Sequence, residues 1–218
     1  MRSLLKALIL VFATVAQAVE YSDVYSADTL IIQVPHSEIE QIPIWKKHGE
    51  RYDSFMGIPA LSNIARGGQY QCTELAHRFL NEIFGIPTRI GIGLGNANVV
   101  VQNISQRFGN GTYRYGNYSI RLKYESTKQA KEPPTVGSAI NFGGTYGHVA
   151  IVRYVEALDA SKVKVFLIEQ HGFPSWRLGD AHPIRSLVFS KNRAGNWVAN
   201  NSPELGAVIG WINFKVIN

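Results

Sequence analysis

The chain has one cysteine in 218 residues. Cys72 therefore has no partner for an intramolecular disulfide, and no Cys-based zinc cluster can form. The thiol is either an inert core residue or a reactive one. Long apolar runs are missing as well. Nothing after the N-terminal stretch reaches the ~20 apolar residues that cross a bilayer. Dense basic runs are also absent: Lys46, Lys47, Arg66, Arg114, Arg121, Lys123, Lys128, Lys131, Arg177, Arg185, Lys191 and Arg193 lie scattered. That pattern argues against a nucleic-acid-binding arm. There is no internal repeat, no low-complexity tract and no Pro- or Ser-rich linker long enough to separate two domains. What remains is 45% hydrophobic and 17% charged, the composition of one folded domain. A domain of this length removes roughly 70% of its unfolded surface from water, enough to hold a core without staples.

The first eighteen residues read as an export signal. Arg2 and Lys6 make a positive start, residues 8–16 are apolar, and Ala16-Gln17-Ala18 is a small-x-small cleavage site. Cleavage after residue 18 leaves 200 residues, with 20 Lys and Arg against 16 Asp and Glu. A modestly basic protein outside the cytoplasm, secreted or periplasmic, is expected to meet an anionic envelope polymer weakly and in a salt-dependent way. No nucleic acid is expected as a partner, and no membrane after cleavage. Residues 19–52 read as an irregular N-terminal extension, with an apolar run at 29–34 that is either a strand or a lead-in packed on the body. Residues 53–218 read as the main domain.

From Cys72 to Phe84 the apolar residues Leu75, Ala76, Phe79, Leu80, Ile83 and Phe84 recur at intervals of three and four. That spacing predicts an amphipathic helix over 72–84, stopped by Gly85 and Pro87. Cys72 then sits in the first turn, where unpaired N–H groups and the positive end of the dipole stabilise a thiolate or an oxyanion. By the same spacing His77 falls off the apolar face and is expected to be exposed.

A second constellation lies downstream. Gly147-His148-Val-Ala-Ile-Val-Arg-Tyr-Val155 and Val163-Lys-Val-Phe-Leu-Ile-Glu169 are rich in β-branched residues, with the turn-like Ala157-Leu-Asp-Ala-Ser161 between them. This predicts a β-hairpin centred between Leu158 and Asp159. Pairing about that centre sets His148 opposite Glu169, Ala150 opposite Leu167 and Val152 opposite Val165, with Arg153, Lys162 and Lys164 on a more solvated face. A slip of one residue would set Ile168 or Gln170 opposite His148 instead. The His–Glu pair is either structural or part of a site in which a thiolate attacks a carbonyl, an imidazole moves the proton and a third group orients the imidazole.

Gln71-Cys72-Thr-Glu-Leu-Ala-His-Arg78, Gly147-His148-Val-Ala-Ile-Val152 and Ile168-Glu169-Gln170 resemble the CHAP family, the cysteine, histidine-dependent amidohydrolases and peptidases of the papain-like clan. Gly95-Asn96-Ala97 and Pro134-Thr-Val-Gly137 are similar to two further stretches of that family, in the same order. The resemblance covers about residues 62–172. It implies an α+β, papain-like fold in which an N-terminal nucleophile helix packs on an antiparallel sheet. It also implies roles: Cys72 as nucleophile, His148 as general base and then acid, Glu169 as the group orienting the imidazole, and the Cys72 N–H, with Gln71, as oxyanion donors. Family members cut amide bonds, most often in peptidoglycan, and one branch cleaves a glutathionyl-polyamine amide; the export signal favours the wall substrate.

The sequence departs from the family at two places. His171 stands where many members carry an Asn, and as a neighbour of Glu169 by strand alternation it is a candidate lining or substrate-binding residue. Some members bind calcium through an Asp-rich loop before the Cys, whereas residues 62–71 contain no Asp or Glu. No metal and no cofactor are therefore expected. The aromatic segment Tyr113-Arg-Tyr-Gly-Asn-Tyr118 reads as a strand packing on the core or as a groove lining. Two other functions stay open alongside the hydrolase: a non-catalytic envelope-binding protein on the same scaffold, and a secreted toxin needing an inhibitor or immunity partner.

Overall fold

A computed structural model describes residues 25–34, 49, 51–61, 71–170, 185–200 and 206–217. The expected export signal, most of the extension and His171 lie outside the described residues. The described residues form two helices, α1 (Cys72–Phe84) and α2 (Val100–Phe108), and ten strands. β1 (Arg51–Phe55) and β2 (Ile58–Leu61) make a small antiparallel hairpin. Its first strand begins inside the stretch read as irregular. The other eight are β3 (Tyr113–Tyr115), β4 (Tyr118–Ser126), β5 (Ala139–Phe142), β6 (His148–Asp159), β7 (Lys162–Ile168), β8 (Ser186–Lys191), β9 (Trp197–Ala199) and β10 (Val208–Val216). They form one antiparallel sheet in the order β3-β4-β10-β5-β6-β7-β8-β9. The fold is thus mixed, with few helices and one large antiparallel sheet.

Helix α1 has the boundaries that periodicity and stop signals predict. Gly85 ends it in the left-handed region at φ 66°, with its N–H on the Asn81 carbonyl at 2.9 Å and the Ile86 N–H on the Leu80 carbonyl at 3.2 Å. Nothing comparable caps its start: the Gln71 side chain makes no capping bond. Packing fixes the helix instead. The Phe79 ring stacks on Phe55 of β1 at 5.6 Å, and Phe84 stacks on Phe214 of β10 at 3.9 Å. Burying such a ring is worth roughly 1.5–3 kcal/mol, more than the ~1 kcal/mol of a typical N-cap.

The apolar run at 29–34 lies along β10. Thr29 bridges Lys215, the Leu30 N–H donates to the Phe214 carbonyl at 2.9 Å, and Leu30 and Ile32 are buried. The aromatic segment forms the β3–β4 hairpin, in which Tyr115 is half-buried and tilts against Phe84 at 5.5 Å.

The hairpin of β6 and β7 forms, but in another register. Asp159 pairs with Lys162, so the turn is Ala160-Ser161 rather than five residues. It is held by the Asp159 carboxylate, which accepts the N–H and O–H of Ser161 at 2.7 Å each. Bulges at Arg153 and Leu158 insert extra residues into β6, and Val152 ends up facing Leu167 instead of Val165. The offset at the site end is therefore two residues. Because side chains alternate with period two, an even offset leaves His148 and Glu169 on one face. The Arg153 bulge corrects a second expectation: Arg153 is not on a solvated face but 3% exposed, its guanidinium on the Asp53 carboxylate at 3.0 and 3.1 Å and on the Ser54 carbonyl at 2.9 Å.

Candidate active site

Three segments far apart in sequence meet at the start of α1. Gln71 is the N-cap residue, with extended backbone (φ −75°, ψ 160°), and its carbonyl accepts the Glu74 N–H at 2.9 Å. Cys72 follows as the first helical residue. The polar groups that act on its sulfur are the His148 ring and the backbone N–H groups of Val149 and Thr73. Cys72 is buried, 7% exposed. Burial works against its ionisation, but the His148 hydrogen bond and charge, with the two N–H donors, outweigh it and hold the thiol below its ordinary value of 9.0. The helix end supplies about 0.3–1 kcal/mol toward this, less than the 1.36 kcal/mol of a single pKa unit. Only close partners such as the imidazolium can do more.

His148 opens β6. Its Nε2 meets Glu169 Oε1 at 3.0 Å, which leaves Nδ1 for the sulfur. Burial disfavours the imidazolium, yet hydrogen bonds to Cys72 and Glu169 and their charges raise its pKa from 6.5 to about 10. Gly147 explains how the ring reaches this place. Its φ is +68°, and a Cβ there would lie 2.4 Å from the Asn98 nitrogen and 2.5 Å from the Phe142 carbonyl oxygen, so only glycine fits. The Gly95-Asn96-Ala97 stretch lies next to this approach. The following Asn98 donates its N–H to the Tyr146 carbonyl at 3.1 Å and its side-chain amide to the Gly144 carbonyl at 3.2 Å.

Glu169, just past the end of β7, is buried, and each of its oxygens meets a basic side chain. Oε1 takes His148, and Oε2 takes Arg185 Nε at 2.9 Å. Burial raises the carboxyl's pKa, but His148, as hydrogen-bond partner and charge, and Arg185 overcome it and hold Glu169 below its ordinary value. Arg185 is a site residue that sequence reasoning missed. Its carbonyl accepts the Leu167 N–H at 2.9 Å, which sets it opposite Leu167 and so on the face of Glu169. Only knowledge that β8 pairs with β7 could have singled it out among scattered basic residues.

The structure thus brings together Cys72, His148 and Glu169, with Gln71 adjoining; His171 lies outside the described residues. Gln170 was also missed as a contributor: its side chain bonds the Gln71 carbonyl and Glu74 on α1. The expectation for His77 is corrected. His77 is buried against Thr88, Nδ1 to Oγ1, and burial lowers its pKa to about 4 despite the pull of Glu74. The buried arc of α1 is wider than one apolar stripe, because residues 86–88 fold back over it. Among the described residues no three His, Cys, Asp or Glu side chains gather as metal ligands would, and no helix is long and apolar enough to cross a membrane.

A thiolate beside an imidazolium, with the imidazolium held by a buried carboxylate, can attack an electrophilic carbonyl and protonate a leaving group. Two comparisons with known proteins bear on this geometry. The family model described as the CHAP domain matches residues 63–171, half of the chain, and spans Cys72, His148 and Glu169. No curated protein matches the chain.

Proposed function

Because the chain belongs to the CHAP domain family, generally amidases and peptidases, we propose that it is an exported cysteine-dependent amide hydrolase acting on peptidoglycan. One observation carries this reading: the His148 ring lies between the Cys72 sulfur and the Glu169 carboxylate, with the thiol's pKa lowered and the imidazole's raised. An inert core cysteine would sit among apolar groups with its pKa raised.

In the proposed reaction the Cys72 thiolate attacks the amide carbon, forming a C–S bond and a tetrahedral oxyanion that faces the Cys72 N–H. The His148 imidazolium passes its proton to the departing nitrogen, the C–N bond breaks, and a thioester remains with neutral imidazole. His148 next takes a proton from water as the oxygen attacks the thioester. Collapse of the second intermediate expels the thiolate and frees the carboxyl product, restoring the ion pair. Glu169, locked by Arg185, keeps Nδ1 aimed at the sulfur throughout. A papain-like arrangement, with the nucleophile helix against the sheet that carries the base, fits these roles. The 7% exposure of Cys72 favours a second reading, a non-catalytic envelope-binding protein. It would bind peptidoglycan without releasing fragments.

The test is digestion of purified peptidoglycan by the mature protein, with mass spectrometry of the soluble products. Fragments bearing a new carboxyl and a new amine are expected, and their masses identify the bond. Cys72→Ala should reduce their release by at least ~10³-fold with an unchanged thermal unfolding curve. Substantial hydrolysis by that variant overturns the assignment.

A further inference from the structure

Gln170 is fully buried immediately after Glu169, and every hydrogen-bonding position of its amide is used. Oε1 accepts the Leu61 N–H at 2.9 Å and Arg78 Nη2 at 3.2 Å; Nε2 donates to the Gln71 carbonyl at 3.1 Å and to Glu74 Oε2. The two donors on one side and the two acceptors on the other allow only one orientation of the amide. Arg78 is held in turn by Glu74, at 2.7 and 3.1 Å, and by the Pro59 carbonyl at 2.7 Å. One side chain therefore ties β2, the first turn of α1 and the end of β7 together.

The bond to Gln71 has a chemical meaning. The Gln71 carbonyl and the Cys72 N–H belong to the same planar trans peptide and point in opposite directions, so holding the oxygen sets the direction of the N–H. The helix grips that oxygen through the Glu74 N–H, and Gln170 adds a grip from outside the helix. We infer that Gln170 is a positioning residue that aims the Cys72 N–H at the oxyanion. The inference rests on the hydrolase reading above.

Two thiol reactions separate this role from a merely structural one. p-Nitrophenyl acetate acylates a thiolate through a tetrahedral oxyanion: the C–S bond forms and p-nitrophenolate leaves. Iodoacetamide alkylates the same thiolate by displacing iodide at a saturated carbon, with no oxyanion. Losing one aligned oxyanion donor costs about 10²–10³-fold, so misaiming one should cost roughly 10–10²-fold. Gln170→Met in the mature protein should slow acylation by that factor and leave alkylation within about twofold. If Gln170→Met does not fold, Gln170→Leu removes the same donor to Gln71 with another uncharged side chain and sets no second carboxylate against Glu74. Compared on the high-pH plateau, where thiol ionisation is complete, it should show the same split. Equal loss of both reactions, or loss of neither, overturns the inference. A wild-type protein that is alkylated but never acylated overturns the hydrolase reading itself, and this inference with it.

Discussion

Arg185 holds the outer oxygen of a carboxylate whose inner oxygen holds the imidazole. Removing it takes one charged donor from a buried carboxylate that keeps His148, a loss of about 1.5–3 kcal/mol. Arg185→Met should therefore lower unfolding stability in urea by about that amount, and Arg185→Lys should recover only part, because an ammonium cannot reproduce the guanidinium's directed N–H. A neutral effect of Arg185→Met would show that Glu169 is held by other means. His77 carries a different residue-scale consequence. Its folded pKa, about 4, is below the ordinary 6.5, so its contribution to stability is complete above pH 6.5 and is lost as pH falls toward 4. The shift is worth up to about 3 kcal/mol. Urea midpoints should drop across that window, and His77→Leu should flatten the drop. At this scale Cys72, His148 and Glu169 were legible in the sequence because each has a chemically distinctive type beside a local structural signal. Arg185 and Gln170 were not, since their roles arise from strand pairing and buried hydrogen bonds that leave no periodic trace.

Element boundaries were legible where the forces are local. Helix α1 was placed to the residue because its apolar period and its Gly85 stop lie within its own segment. The β6–β7 hairpin was placed only in outline. Its bulge at Arg153 coincides with the buried ion pair between Arg153 and Asp53, a hundred residues earlier. No local pattern announces such a bulge, yet the even offset preserved the shared face. The approach to β6 supplies the test at this scale. Gly147→Ala adds a methyl in a left-handed backbone position, which costs about 1–2 kcal/mol, and drives it within 2.5 Å of backbone atoms of Asn98 and Phe142. The variant should lose at least about 2 kcal/mol of stability and most of its hydrolytic activity, because His148 must move with the chain. Retained activity at full stability would show that the ring's place does not depend on this turn.

The constellation belongs to the whole molecule. Cys72, His148, Glu169 and Arg185 come from α1, β6, the end of β7 and the approach to β8, and none of these segments can form the ion pair alone. The mixed fold class followed from the family resemblance, and the residues themselves showed one helix and one hairpin of it. The position of β10 in the middle of the sheet, with residues 28–30 along its far end, could not be read from the residues, since the last strand pairs with segments far away in sequence. Because the thiol is activated only by assembly, the pH dependence of its alkylation reports the account most directly. Iodoacetamide labelling of the folded mature protein should titrate with an inflection clearly below the ordinary thiol value of 9.0, and the same protein unfolded in urea should return to that value. An inflection at or above 9.0 in the folded protein would contradict the thiolate–imidazolium pair on which the proposed chemistry depends.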